Sequence, residues 1–293
     1  QAEQIGPYTD GRLNRIFFAG DMLGFVVGGS RFLRADMLIT RDGGHSWEYR
    51  SFPEAAKGLY GITQAPGGEI YIIGFDGKLL FSTNGGDDWE FRQLSYLPVK
   101  AIVFNGKNEG IVAGGISFDQ GFIMRIDKEG QQLSYDSVGY EINDLQMISG
   151  DTGYMAGYGA FLKTTDGGYS WTFTSLRSDN FTALHCPDEH TIWVCGYEGS
   201  IYKSDDAGQT WERMRNGNDL TRKKYRLLDI VFPDPQHGYA VGENGVVIYS
   251  DDGGQNWMEF TRFTDAALRS IAVTYDGSLL VAGDNGAFYR MRR

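Results

Sequence analysis

Five short segments constrain the fold most, because each has the same order of residue types and each closes on tryptophan. They are Thr40-Arg41-Asp42-Gly43-Gly44-His45-Ser46-Trp47, Ser82-Thr83-Asn84-Gly85-Gly86-Asp87-Asp88-Trp89, Thr164-Thr165-Asp166-Gly167-Gly168-Tyr169-Ser170-Trp171, Ser204-Asp205-Asp206-Ala207-Gly208-Gln209-Thr210-Trp211 and Ser250-Asp251-Asp252-Gly253-Gly254-Gln255-Asn256-Trp257. Their Trp-to-Trp intervals are 42, 82, 40 and 46 residues. The interval of 82 is two periods with one copy eroded, and Arg125 to Leu133 stands where that copy falls, with Leu133 in place of Trp. An independent marker, a short apolar run ending in glycine, recurs at Gly28, Gly74, Gly114, Gly157, Gly196, Gly242 and Gly283. The two markers agree wherever both occur, so the period repeats seven times. The third copy is expected to keep its strands without its Trp.

Each period reads as four short strands. In the second copy these are Leu59 to Ala65, Glu69 to Ile73, Lys78 to Phe81 and Trp89 to Leu94, separated by Pro-Gly-Gly, Asp-Gly and Asn-Gly-Gly turns. Four-stranded repeats of ~40–45 residues are the pattern of propeller blades. The expected fold is all-β: a seven-bladed β-propeller of four-stranded antiparallel blades, one domain over residues 1–293. The first-strand position Ile16, Ile62, Ile102, Leu145, Leu184, Ile230 and Ile271 is a branched aliphatic in every copy and suits packing around the axis. The seventh copy, 268–291, lacks a fourth strand, and the segment at about 4–9 precedes the first blade. Pairing the two closes the ring and removes two exposed sheet edges.

Composition supports order and narrows the class. Glycine at 41 of 293 residues is about twice the usual share, but 41% hydrophobic and 14% aromatic residues supply a core, so the glycines belong to turns. A net charge of −11 opposes phosphate neutralisation and excludes generic nucleic-acid binding. No apolar run approaches the ~20 residues of a membrane-spanning helix. Cys186 and Cys195 are too few for a disulfide scaffold or a four-ligand zinc site, leaving two buried thiols or one hairpin disulfide. The chain starts at Gln1 without Met, which reads as an exported protein whose signal has been removed. No metal or cofactor is expected, and the chain is expected to be a monomer.

The recurrent segment resembles the Asp-box, or bacterial neuraminidase repeat, Ser/Thr-x-Asp-x-Gly-x-x-Trp. Its chemistry is structural: Asp42, Asn84, Asp166, Asp206 and Asp252 accept turn N–H groups. The glycines take φ > 0, and Trp47, Trp89, Trp171, Trp211 and Trp257 wedge between strands. One dependable carboxylate per box is far short of the six to eight oxygens calcium wants. In proteins of this kind the boxes join third and fourth strands, away from the functional face. The opposite face is then the candidate binding surface, formed by loops between second and third strands and between blades. It carries Arg12, Arg15, Arg31, Arg34, Tyr60, Tyr96, Tyr158, Tyr197 and the run Arg222, Lys223, Lys224, Tyr225, Arg226. Aromatic and arginine side chains are favoured interface anchors, and loops on rigid scaffolds often carry function.

Seven blades, second strands such as Gly153-Tyr154-Met155-Ala156-Gly157 and Gly238-Tyr239-Ala240-Val241-Gly242, and the boxes that follow them are together similar to the photosystem II stability/assembly factor family. That resemblance implies a non-enzymatic platform for a protein partner, such as a membrane-protein subunit, with Arg12, Arg15, Arg31 and Arg34 as a small basic patch. Other Asp-box propellers are sialidases and xyloglucan-degrading glycosidases, so a glycan-binding module or a glycosidase is the alternative. Glycoside hydrolysis needs two carboxylates at a defined separation, and Asp144 and Asp229, at equivalent first-strand positions, are the candidate pair.

Overall fold

A computed structural model describes residues 2–30, 32–53, 55–221 and 223–292, with the side chains of 177 and 178 excepted. The described residues are almost entirely strand and turn, in six hydrogen-bonded antiparallel sheets. Five have four strands and one has six. The second sheet, Leu59–Gln64, Ile70–Gly74, Lys78–Ser82 and Glu90–Gln93, follows the strands read from the repeat to within a residue or so. The third, Val99–Phe104, Gly110–Ser117, Gln120–Ile126 and Gln132–Val138, keeps all four strands despite the eroded box.

The six-stranded sheet arises because two strands are long. Residues 153–157 of Gly153–Thr164 pair with Ile142–Met147, and residues 160–163 pair with 172–175. Thr172–His185 then continues, so that 181–185 pair with Ile192–Gly196. A register shift between Tyr158 and Ala160 marks the bend.

The last sheet runs Leu268–Val273, Leu279–Gly283, Phe288–Met291 and then Ala2–Gln4, the N-terminal segment. The pairing segment lies at 2–4, with the Ile5 amide also bonding Phe288 O at 2.8 Å, rather than at 4–9. Gly6 at φ +95 turns the chain away, and residues 8–11 instead lie against the turn at Gly286, whose amide bonds Gly11 O at 2.7 Å.

Burial is two-sided, which is why the inner strands are nearly continuous apolar runs. Phe25, Val27 and Met37 of the first sheet pack with Ile62, Ile72 and Leu80 of the second, while Val26 and Leu38, pointing the other way, pack with Leu280, Ala282 and Phe288 of the last. The last sheet is thereby sealed to the first.

Candidate functional site

The boxes lie between third and fourth strands. In the first, the Thr40 hydroxyl donates to Asp42 Oδ1 at 2.7 Å and accepts from the Gly44 amide at 2.9 Å. Asp42 also accepts the Ser46 amide at 2.9 Å and the Ser46 hydroxyl at 2.6 Å. The same pattern recurs at Asp166, Asp206 and Asp252. The second box exchanges the partners: Asn84 Nδ2 donates to Asp88 Oδ2 at 2.9 Å, the mirror of Asn256 donating to Asp252 at 2.7 Å. The tryptophans wedge against the preceding sheet, as with Trp47 on Phe288 (5.2 Å between ring centroids) and Trp211 on Phe161 (4.8 Å).

Burial, which opposes ionisation, is outweighed at Asp42 and Asp166 by hydrogen bonds from Ser46 and Thr40 and from Ser170 and Thr164, so both titrate at about 2. At Asp206 the Thr210 hydroxyl is the main cause of a similar fall to about 2. A carboxylate depressed in the folded state stabilises the fold above its ordinary range and loses that contribution as pH falls through the folded value. Stability is therefore expected to fall between about pH 4 and 2. Asp206→Asn, which places the residue found naturally at Asn84, should flatten that fall in pH-dependent urea unfolding. An unchanged slope would contradict the assignment.

The two ends of the sheets are distinct. Box amides bond the turns between first and second strands (Gly43 N to Met22 O, 2.9 Å; Gly253 N to Gln236 O, 2.9 Å). At the other end, turns between second and third strands bond the connections between sheets (Leu94 N to Gly77 O, 2.9 Å; Glu243 N to Arg226 O, 3.0 Å). We call this the upper end. It holds the loops singled out above, opposite the boxes.

Between the ends runs an axial cavity of about 580 Å³, walled by seven inner strands and lined by all seven branched aliphatics, Ile16, Ile62, Ile102, Leu145, Leu184, Ile230 and Ile271. Each inner strand has a bulge, and the skipped residues are Asn14, Tyr60, Lys100, Asn143, Thr182, Leu228 and Arg269. A bulge re-aims its side chain. Three of these side chains bridge to a carbonyl of the next inner strand: Asn14 to Leu59 O at 2.7 Å, Asn143 to Phe181 O at 2.8 Å and Thr182 to Leu227 O at 2.7 Å.

Asp144 and Asp229, the candidate carboxylate pair, do face the axis, yet both are committed to the wall. Asp144 Oδ2 accepts the Leu184 amide at 3.0 Å, and Asp229 Oδ2 accepts the Ile271 amide at 2.9 Å and the Ser270 hydroxyl at 3.0 Å. Ser270 in turn accepts the Ile16 amide at 3.1 Å. Each therefore caps the inner strand of its neighbour, where no backbone ladder exists to do so. Arg15 spans the axis, 3.3 Å from Asp144 and 4.0 Å from Asp229. Burial raises both carboxyls and Arg15 pulls against it, while Asp144 chiefly raises Arg15.

The predicted basic patch is not assembled as free charge. Arg15 sits in the cavity, Arg12 lies 3.5 Å from Asp284, and Arg34 pairs with Asp10 at 2.6 Å and with buried Asp36 at 2.7 Å. Arg31 and Arg222 lie outside the described residues. Lys223 is exposed, Lys224 bonds Asn218 at 2.9 Å, and Arg226 pairs with Glu243 at 3.3 Å while covering the Tyr197 ring. Tyr225 is not a surface anchor: it is buried, its hydroxyl donates to Glu259 at 2.7 Å, and burial with that carboxylate pushes it up to about 12.

Aromatic groups instead distinguish the upper end. Phe32 meets Phe75 at 5.2 Å, Phe75 meets Tyr60 at 6.5 Å, and Phe118 stacks on Tyr158 at 5.0 Å. Tyr96 is 83% exposed, and Leu33 and Ile116 are exposed beside these pairs. The repeat does not single out Leu33, Ile116, Lys100 or Arg269; the last two are legible as polar residues at the bulge position of an otherwise apolar strand. Cys186 and Cys195 are free, buried thiols with no disulfide between them. Among the described residues, no cluster of His, Cys, Asp and Glu is arranged to hold a metal, and no helix is long and apolar enough to cross a membrane.

A family model described as photosynthesis system II assembly factor YCF48 matches residues 3–132. Over 203 residues the chain is 24% identical to the photosystem II assembly lipoprotein Ycf48 of Nostoc sp., an alignment covering 69% of this chain and 48% of that protein. The chain thus spans about half the length of this curated relative. The structure of YCF48 from Cyanidioschyzon merolae superposes with a TM-score of 0.74 at 21% identity, covering 99% of this chain and 98% of the other. A structure of YCF48 bound to D1 peptide superposes at 0.75 with 20% identity, covering 100% and 94%. Structures at this identity establish the fold. The chain is an Asp-box β-propeller resembling the photosystem II stability/assembly factor family.

Proposed function

We propose that the chain is a single seven-bladed propeller that binds a protein partner at its upper end without catalysing a reaction. Dividing the six-stranded sheet at its two long strands supports a count of seven blades, with the N-terminal segment completing the last. The observation that carries the function is the division of labour along the axis. The candidate carboxylate pair is committed to capping neighbouring strands, whereas the upper end displays aromatic pairs that bridge adjacent blades. Exposed aromatics on a rigid scaffold suit an extended peptide segment. The relative described as bound to D1 peptide supports a peptide segment of a protein partner as the ligand. The lipoprotein relative supports an exported, membrane-adjacent location.

The test is a titration of fluorescently labelled D1 peptide with the wild type and with Phe118→Ser/Tyr158→Ser. These side chains are exposed and stack on each other, so their loss should leave the melting temperature nearly unchanged. Affinity is expected to fall by about tenfold or more. Equal affinities would remove this surface from the ligand site.

A further inference from the structure

The eroded third box leaves a structural consequence at the rim. Where a box is intact, it separates the third and fourth strands, and after four of the five intact boxes the outer strand is short: Glu48–Phe52, Glu90–Gln93, Glu212–Arg215 and Met258–Glu259. These strands also carry charged side chains, a common protection of an exposed edge. In the third sheet a tight turn replaces the box, with the Gln131 amide on Asp127 Oδ1 at 2.7 Å and Gly130 at φ +82. The ladder therefore continues down to Ile126 and Gln132, past a bulge that skips Leu133. The outer strand Gln132–Val138 is seven residues long, carries one charge, Asp136, and exposes Leu133 (47%) and Tyr135 (40%). It lies at the end of its sheet, so among the described residues no strand pairs with its outer edge. The outer stretch 172–175 is also uncharged, but it pairs over four residues only and runs on into the next inner strand.

We propose that this edge is a homodimer interface, in which two copies pair their 132–138 strands antiparallel about a twofold axis through Tyr135. The strand is its own complement in that register. Tyr135 opposes Tyr135, Asp136 opposes Ser134, whose hydroxyl can donate to the carboxylate, and Leu133, at the bulge, falls beside Ser137; no like charges meet. Twofold, isologous contacts are the commonest symmetry of dimers, and this one covers a long outer edge that carries a single charge. The proposal replaces the monomer expected from sequence and is independent of the upper-end ligand. Because each copy carries −11, association should strengthen as salt screens their repulsion.

Sedimentation equilibrium of the full chain, from micromolar to submillimolar concentration, should show the mass rising toward twice the 32.6 kDa of one chain, more readily at higher salt. Leu133→Lys/Ser137→Lys places lysine beside lysine at both ends of the pair and should weaken dimerisation by about tenfold or more with an unchanged melting curve. Tyr135→Cys, meeting itself across the axis, should form an intermolecular disulfide under mild oxidation, since the native thiols are buried. A monomer at every concentration, a dimer indifferent to the lysine pair, or a dimer in which Tyr135→Cys does not crosslink would overturn the proposal.

Discussion

Removal of residues 1–10 is expected to lower the melting temperature by roughly 10 °C. Three links would be lost together. The ladder of Ala2–Gln4 on Phe288–Met291 would go, leaving that strand a bare edge. Ile5 and Tyr8 would leave the cluster joining the last sheet to Leu13, Ile16 and Trp47 of the first. The Thr9 hydroxyl bond to buried Asp36, at 2.6 Å, would leave that carboxylate leaning on Arg34 and Tyr49 alone. Repeat arrays normally lose stability gradually from their ends, but a ring that closes on itself loses one inter-sheet contact that nothing replaces. Differential scanning calorimetry of the truncated chain measures this directly, and a melting temperature within about 2 °C of the full chain would mean that the N-terminal segment is not a closing strand.

The second large effect is expected from a single methyl group. Gly157 ends a second strand where the Glu141 carbonyl, just ahead of the bulge, passes so close that a Cβ would sit 1.9 Å from its oxygen. The obstacle is backbone, and the following residues are fixed by the Asn143 and Asp144 bridges to the next inner strand, so the clash cannot relax cheaply. Gly157→Ala is expected to cost about 3 kcal/mol. Gly139→Ala, which meets nothing within 4 Å, is the control. Urea unfolding of the two variants should separate them clearly; equal midpoints would refute this account of the glycine marker. Gly242 stands in the same relation to the Arg226 carbonyl, whose oxygen would lie 2.0 Å from an added Cβ, which is why the marker recurs with the period.

Much of the fold is legible because a repeat multiplies weak signals. One Asn-Gly-Gly turn predicts little, whereas the boxes together with the glycine-ended strands determine strand number, order and the two ends of each sheet. The position of the closing strand is less legible: nothing in Gln4 to Thr9 distinguishes a strand from a connection, and the pairing falls at Ala2–Gln4 because Gly6 turns the chain. The site is legible by location and obscure in its chemistry. Arg15, Asp144 and Asp229 share one repeat position, but sequence alone does not reveal that this position lies where neighbouring inner strands lack a ladder and need side-chain acceptors. Tyr225 reads as surface because it sits in a charged run, although Glu259, distant in sequence, gives its hydroxyl a buried partner. The arginines read as a patch only while the carboxylates that fold onto them, Asp10, Asp36 and Asp284, are out of view.

Ligand recognition at the upper end, rather than at the axial carboxylates or the boxes, is tested most directly by amide hydrogen exchange of the full chain with and without excess D1 peptide. Slowed exchange is expected at 32–34, 75–77, 94–97 and 115–119, with the box turns and inner strands unchanged. Exchange unaltered everywhere, or slowed only at the box turns or along the inner strands, would contradict recognition at this end.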